Sequence, residues 1–397
     1  MKRIITILSI CLAAFASANA QELANFNFGG RMAPVVSPEI QGDSVTFRFR
    51  ADYATVVKLS GSWMPNPYGD TIDMFRGANN VWSVKIALPS PEIYTYNFVV
   101  DGVAVNDPQN ILVQRDGTRF LNMLIVPGER TENYTEAQHR GTVSHPWYDS
   151  KVLGINRRLT VYTPYGYEAN PKKKYPVLYL LHGAGGDEEA WTSMGRTAQI
   201  LDNLIEKGLA EPMIVVMPNG NANQQAAVTL NIPTAPQPDW RKMQEQFANM
   251  PEAERNRAMN SYVVSLCEEI VPFIEKNFRA IAKPEARAIA GLSMGGGHTT
   301  AATLNYPGVF GYICPLSCGI RESEELDAQL QGIKKAGYKL YWIGVGKEDT
   351  GAYNGSLILD KHLTDNGMPH TLYVSDDAHV WKNWRLYLNT FAQLLFK

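Results

Sequence analysis

The sequence predicts an α/β fold with a mostly parallel sheet, preceded by an all-β immunoglobulin-like sandwich. Three observations carry this reading. Residues 37–126 contain short segments that alternate apolar and polar positions, separated by Gly, Pro and Asn turns. From Thr142 onward, strand-like apolar runs alternate with stretches of helical spacing, the order of a parallel sheet covered by helices. Gly291-Leu292-Ser293-Met294-Gly295 stands between one such run and a series of small residues.

The chain opens with Lys2 and Arg3, an apolar stretch over 4–15, and the small-x-small triplet Ala18-Asn19-Ala20. That order predicts a secretory signal over residues 1–20. The competing reading is a membrane anchor, but the stretch is shorter than the ~20 apolar residues a span requires. A lipid anchor on Cys11 would need a small residue where Ile10 stands. An exported protein, periplasmic or extracellular, is expected. No later run reaches the ~18 apolar residues of a span.

The sandwich is assigned to residues 21–130. Segments 44–49 and 81–86 alternate with period two, 94–100 runs into the turn Asp101-Gly102, and 120–126 reads as a last strand. The polar stretch that follows gives a linker at 131–141. The α/β unit takes 142–397. Its strands are read at 158–162, 176–181, 213–217, 286–290, 340–345 and 371–374, the second being almost continuously apolar as a strand buried on both faces should be. Between them, Val264, Cys267, Ile270, Val271 and Ile274 predict a helix over 261–278.

The charge balance excludes one large class of function. The 397 residues carry 37 Lys plus Arg against 39 Asp plus Glu, a formal net charge of −2 with no basic stripe, so nucleic acid is not an expected partner. A hydrophobic fraction of 45% with 19% charged residues excludes wholesale disorder. Cys267, Cys314 and Cys318 remain once the signal is removed. An odd number leaves at least one thiol unpaired or bonded between molecules. All three are read as structural, because no second Cys pair or His cluster completes a zinc site. No metal site, phosphate loop or flavin signature is visible, and no cofactor is expected.

The chemistry resides in the Gly-x-Ser-x-Gly turn. Its glycines let strand and helix approach closely and leave the Ser293 hydroxyl standing clear of the backbone at a helix N-terminus. A serine hydroxyl is a weak nucleophile at neutral pH, so it needs a base, and the base needs an orienting acid. In an α/β-hydrolase the chain order is Ser, acid, His. His362, His370 and His379 follow at useful distance. His379 lies in the loop after the last strand, where the base belongs. Asp349, just past the strand ending at Val345, is the acid, with Glu348 its nearest rival and Asp376 and Asp377 less suited. The oxyanion requires two preset N–H donors. Met294 supplies one, and Gly183 or Ala184 in His182-Gly183-Ala184-Gly185-Gly186 the other.

These motifs resemble the esterase D-like feruloyl (cinnamoyl) esterases of polysaccharide-degrading bacteria. The matching stretches are 180–186, Met217-Pro218-Asn219-Gly220, 290–296 and His379-Val380-Trp381-Lys382-Asn383-Trp384-Arg385, the last being the most specific. The resemblance covers roughly 141–397. It implies Ser293, Asp349 and His379 as a triad and hydroxycinnamate esters of plant cell-wall polysaccharide, such as arabinoxylan, as substrates. Residues 59–63, Val81-Trp82, 94–102 and Asp107-Pro108 resemble the family 48 carbohydrate-binding modules, with departures at Pro91-Glu92-Ile93 and Met64-Pro65-Asn66-Pro67. Trp82 reads as core, and Trp63 as either core or a sugar-stacking ring.

The long excursion 221–260 reads as a lid or a solvated loop. Gln224, Trp240 and, after the histidine, Trp381 are the candidate substrate contacts. Other readings of the whole chain are a siderophore trilactone (enterobactin-type) esterase, a carbohydrate acetyl esterase, or a non-catalytic glycan-binding protein.

Overall fold

The computed structural model describes residues 35–66, 69–227, 251, 260–320 and 322–397. The signal at 1–20, Trp240 and most of the 221–260 excursion lie outside the described residues.

Ten strands form the N-terminal part: β1 (Glu39–Gln41), β2 (Ser44–Arg50), β3 (Val57–Gly61), β4 (Ile72–Asp73), β5 (Phe75–Arg76), β6 (Val81–Ala87), β7 (Ile93–Val100), β8 (Val103–Val105), β9 (Val113–Asp116) and β10 (Arg119–Ile125). They make two antiparallel sheets, one of order β1-β2-β6-β5 and one of order β4-β3-β7-β10-β9 with β8 on β7. The period-two pattern decides which faces meet. Val45 and Phe47 of β2, Trp82 and Val84 of β6, and Tyr96 and Phe98 of β7 all point into one core between the sheets. Trp63 joins this core rather than standing free. It stacks on Phe47 at 5.6 Å and meets Tyr94 edge-on at 6.1 Å.

The second part is built on a nine-stranded sheet: β11 (Thr142–Ser144), β12 (Trp147–Ser150), β13 (Ile155–Thr163), β14 (Val177–Leu181), β15 (Ile214–Pro218), β16 (Arg287–Leu292), β17 (Tyr312–Leu316), β18 (Leu340–Gly346) and β19 (Thr371–Ser375). The order is β11-β13-β15-β14-β16-β17-β18-β19, with β12 paired to β13. From β15 through β19 neighbouring strands run parallel, while β13 pairs antiparallel with β15. Every residue of β14, β15 and β17 is buried, as two helical layers require.

Among the described residues the α-helices are α1 (Ala190–Ser193), α2 (Thr197–Glu206), α3 (Ser261–Ser265), α4 (Val271–Asn277), α5 (Met294–Asn305), α6 (Leu326–Ala336), α7 (Thr350–Asp365) and α8 (Trp381–Phe391). The helix expected over 261–278 is α3 and α4 joined by a π turn at Leu266–Ile270. Pro272, in the first turn of α4, has no N–H to return to the preceding turn, which explains the widened coil before it. Three strands of this sheet are absent from the sequence reading: the antiparallel β11 and β12, and the central β17. Pro315 of β17 argues against a central strand, and the ladder to β18 accommodates it by pairing Ile313 with Tyr341 and Leu316 with Gly344 around the proline.

The segment between the two parts is not a solvated tether. Tyr134 is 1% exposed and belongs to the same apolar cluster as Ile93 and Met123 of the sandwich and Trp191, Trp384 and Leu388 of the α/β unit. One core therefore runs through the junction.

Candidate active site

Ser293 sits where β16 ends and α5 begins. Its backbone lies at φ 54°, a left-handed conformation that costs a non-glycine residue energy, and the turn is held by Ser293 N–H donating to Leu316 O at 2.9 Å. The two flanking glycines are required by space. A Cβ on Gly291 would lie 2.3 Å from Gly295 O, and one on Gly295 would lie 2.6 Å from the carbonyls of Leu181 and His182. Met294 is the first residue of α5, so its N–H has no partner within the helix and remains available.

His379 and Asp349 are brought together by two loops stitched edge to edge. Lys347 N–H donates to Ser375 O at 2.8 Å and Glu348 N–H to Asp377 O at 3.1 Å. The approach is close enough that a Cβ on Gly346 would lie 2.3 Å from Asp377 O. Across this seam, His379 Nδ1 donates to Asp349 Oδ2 at 2.6 Å. Asp349 precedes α7 and its side chain is only 12% exposed, whereas the imidazole is 42% exposed, so the acid stands behind the base and the ring faces the opening. Among the described residues no rival carboxylate bonds the His379 ring. Glu348 is exposed, and Asp377 pairs with Lys382 at 2.6 Å. His362 bonds Asp327 at 2.8 Å, His370 bonds Asp360 at 2.9 Å, and His298 packs on Tyr262 behind the nucleophile. Burial pushes His298 down to about 4, so it stays neutral.

The loop after β14 is pinned from beneath. Gly220 N–H donates to His182 Nε2 at 2.7 Å, which puts the ring proton on Nδ1, and Nδ1 then donates to Gly183 O at 2.7 Å. Burial holds His182 below the usual imidazole range, consistent with that neutral tautomer. Gly186 N–H adds a second bond to Gly183 O at 3.1 Å. With Gly183 O turned to the His182 ring, the trans peptide turns the Ala184 N–H the other way. Between the two sequence candidates, geometry favours Ala184.

Ser293, His379, Gly183 and Ala184 line one cavity of about 230 Å³. Its aromatic wall is Trp381 and Trp384, which meet edge to face at 5.1 Å. Trp384 stands edge-on to His379 at 5.0 Å, and Trp381 packs on Trp191 at 5.3 Å. Trp381 thus lies where a substrate contact was expected. Gln224 does not. Its side-chain carbonyl accepts bonds from Asn219 and Asn221, both at 3.1 Å, so the amide-rich start of the excursion braces itself. The sequence reading missed Asp116, which reaches the same cavity from the end of β9 in the sandwich. A charged residue at the end of a strand beside Gly117 was the only signal available.

A nucleophile turn on a parallel sheet, with a histidine and its acid on the two following loops, defines an α/β-hydrolase equipped for acyl transfer. The chain belongs to the Esterase family, whose model matches residues 150–393. It is 32% identical over 360 residues to an endo-1,4-beta-xylanase/feruloyl esterase of Xylanibacter ruminicola, covering 88% of this chain and 44% of that protein. The chain spans less than half the length of the curated relatives it matches. A solved ferulic acid esterase aligns with TM-score 0.50 and 26% identity over 64% of this chain and 98% of its own. The enterobactin esterase of Shigella flexneri aligns with TM-score 0.59 over 90% of this chain and 95% of its own, at 16% identity, and so shares the fold across both parts.

Proposed function

We propose that this protein is an exported feruloyl esterase that releases hydroxycinnamic acids from xylan-type polysaccharide through an acyl-enzyme. The observation that carries the reading is the ring-lined cavity at Ser293, closed by Trp381 and Trp384 beside His379, in a chain whose relative is named a xylanase/feruloyl esterase. A flat aromatic acyl group packs well against such edges. Among the described residues no helix is long and apolar enough to cross a membrane.

In the mechanism, Ser293 Oγ attacks the ester carbonyl carbon while its proton passes to His379 Nε2. Asp349 holds the proton on Nδ1 and stabilises the imidazolium. The oxyanion is met by the N–H groups of Met294 and Ala184. The C–O bond to the sugar breaks, and the departing oxygen takes the proton from His379. Water then attacks the acyl carbon, gives its proton to His379, and Ser293 recovers it as the acid leaves. Among the described residues Ser293 Oγ makes no hydrogen bond to the imidazole at rest, and the pair must close when substrate fills the cavity.

The test is an ester panel on the purified protein: methyl ferulate, an aryl acetate and a catechol trilactone. Methyl ferulate is expected to give the highest kcat/KM, by about tenfold or more. Preference for either of the others would replace the feruloyl reading while leaving the serine mechanism in place.

A further inference from the structure

One anchor of the oxyanion loop comes from the other part of the protein. β9 is the edge strand of the six-stranded sheet, and its Arg115 reaches the segment that directly follows Gly183–Gly186. The guanidinium grips Asp187 with two bonds, Nη1 to Oδ2 at 2.8 Å and Nη2 to Oδ1 at 2.7 Å, and Nη2 also donates to Glu189 Oε2 at 3.1 Å. Nη1 further donates to Gly117 O at 2.7 Å, which ties the side chain to its own hairpin. The backbone is clipped to the same segment. Arg115 N–H donates to Ser193 Oγ at 2.6 Å, and that hydroxyl donates back to Arg115 O at 3.2 Å.

The pair is dry, with side chains 9% and 4% exposed, and among the described residues no other cation reaches Asp187. A bidentate guanidinium–carboxylate pair fixes angle as well as distance. Asp187 passes that constraint on, because its Oδ1 accepts the Glu189 N–H and its carbonyl the Ala190 N–H, both at 3.0 Å. The loop therefore has three anchors: His182 on Gly183 O, Asn221 on Gly186 O at 2.8 Å, and Arg115 on Asp187.

We propose that Arg115 is a positioning residue for catalysis, through which the sandwich holds the oxyanion loop and its Ala184 N–H in place. The proposal rests on the serine-esterase reading of the site and is independent of which ester is preferred. An oxyanion donor acts on charge that develops only in the transition state, so a loosened loop lowers kcat and leaves ground-state binding alone.

The experiment uses the full chain carrying Arg115→Met, Arg115→Lys, or Arg115→Met with Asp187→Asn. Each is assayed with 4-nitrophenyl acetate and methyl ferulate and titrated with an arylboronic acid. The boronic acid adds to Ser293 Oγ and places a tetrahedral oxygen at the oxyanion position. Arg115→Met is expected to lower kcat by about 10- to 100-fold, with KM within a factor of about three, and to weaken boronate binding by a similar factor. Arg115→Lys should fall between. The double variant, which no longer buries an unpaired carboxylate, should recover melting temperature but not kcat or boronate affinity. Two results would overturn the proposal: unchanged kcat in a folded Arg115 variant, or recovery of kcat together with stability in the double variant. If Arg115→Met does not fold, the Lys and double variants decide by the same criteria. Failure of the esterase reading itself has a different signature, since the unaltered protein would then cleave neither ester and bind no boronate.

Discussion

Arg385, six positions beyond His379, is ion-paired at 2.9 Å with Glu92 of the sandwich, and both side chains are almost completely buried. Glu92 also accepts a bond from Arg130 at 2.8 Å, and Arg385 donates to Met194 O at 2.9 Å. The charges are therefore unequal, two cations on one carboxylate. Removing Glu92 strands two arginines, whereas removing Arg385 leaves the Glu92–Arg130 pair intact. Glu92→Leu is expected to cost about 3–5 kcal/mol and Arg385→Met distinctly less, with part of the loss recovered in the double variant. Denaturant midpoints of the three proteins check the order.

The proposed triad makes the sharpest catalytic prediction. Ser293→Ala should abolish the pre-steady-state burst and lower kcat by on the order of 10⁴-fold or more. Asp349→Asn replaces the charged acceptor that holds the His379 tautomer with a neutral amide that can present a donor, and should cost about 10⁴-fold in kcat. Glu348→Gln, one residue away and exposed, should leave both kcat and KM near their original values. Equal effects at 348 and 349 would contradict the assignment of the acid.

Gly346 offers a test of geometry without touching a reacting group. A Cβ there would lie 2.3 Å from Asp377 O and 2.8 Å from Asn383 Nδ2, so the histidine loop must move. Gly346→Ala should lower kcat by about 100-fold while far-ultraviolet circular dichroism stays unchanged.

The three described cysteines are free. Burial pushes the Cys267 and Cys318 thiols up to about 12, and Cys314 is pushed up further by complete burial. The thiolate is the reactive form, so raising the pKa lowers reactivity at neutral and mildly alkaline pH. A disulfide-exchange reagent should label the native protein slowly, faster as pH rises, and all three sites at once after unfolding. Rapid native labelling of Cys318 would contradict this.

Much of the site was legible because catalysis in this fold sits at the ends of strands. The turn at Gly291–Gly295, the acid after β18 and the histidine after β19 are local signals, each readable within a few residues. Docking between the two parts left no such pattern. Arg115 looks like any outward charge on an alternating strand until β9 is seen as an edge strand facing Asp187. The signal closest to being readable was the departure at Pro91-Glu92-Ile93, which brings in the carboxylate that clamps Arg385. The amides around Gln224 are ambiguous for the opposite reason. A run of amides suggested ligand contact, but Asn219, Asn221 and Gln224 satisfy one another. Pro315 hid a central strand because a missing N–H is normally confined to edges.

The burial of Tyr134 in a core common to both parts bears on how such a protein can be taken apart. A boundary drawn at 131–141 looks like the seam between two exchangeable cassettes. Yet cutting there would leave the sandwich with an apolar underside and the hydrolase with a hole beside Trp384 and Leu388. Protease nicking within the junction should release no separate fragments, and heating should melt both sheets in a single calorimetric peak. Grafting the sandwich onto another hydrolase would have to carry this junction and the helix that receives it along with it.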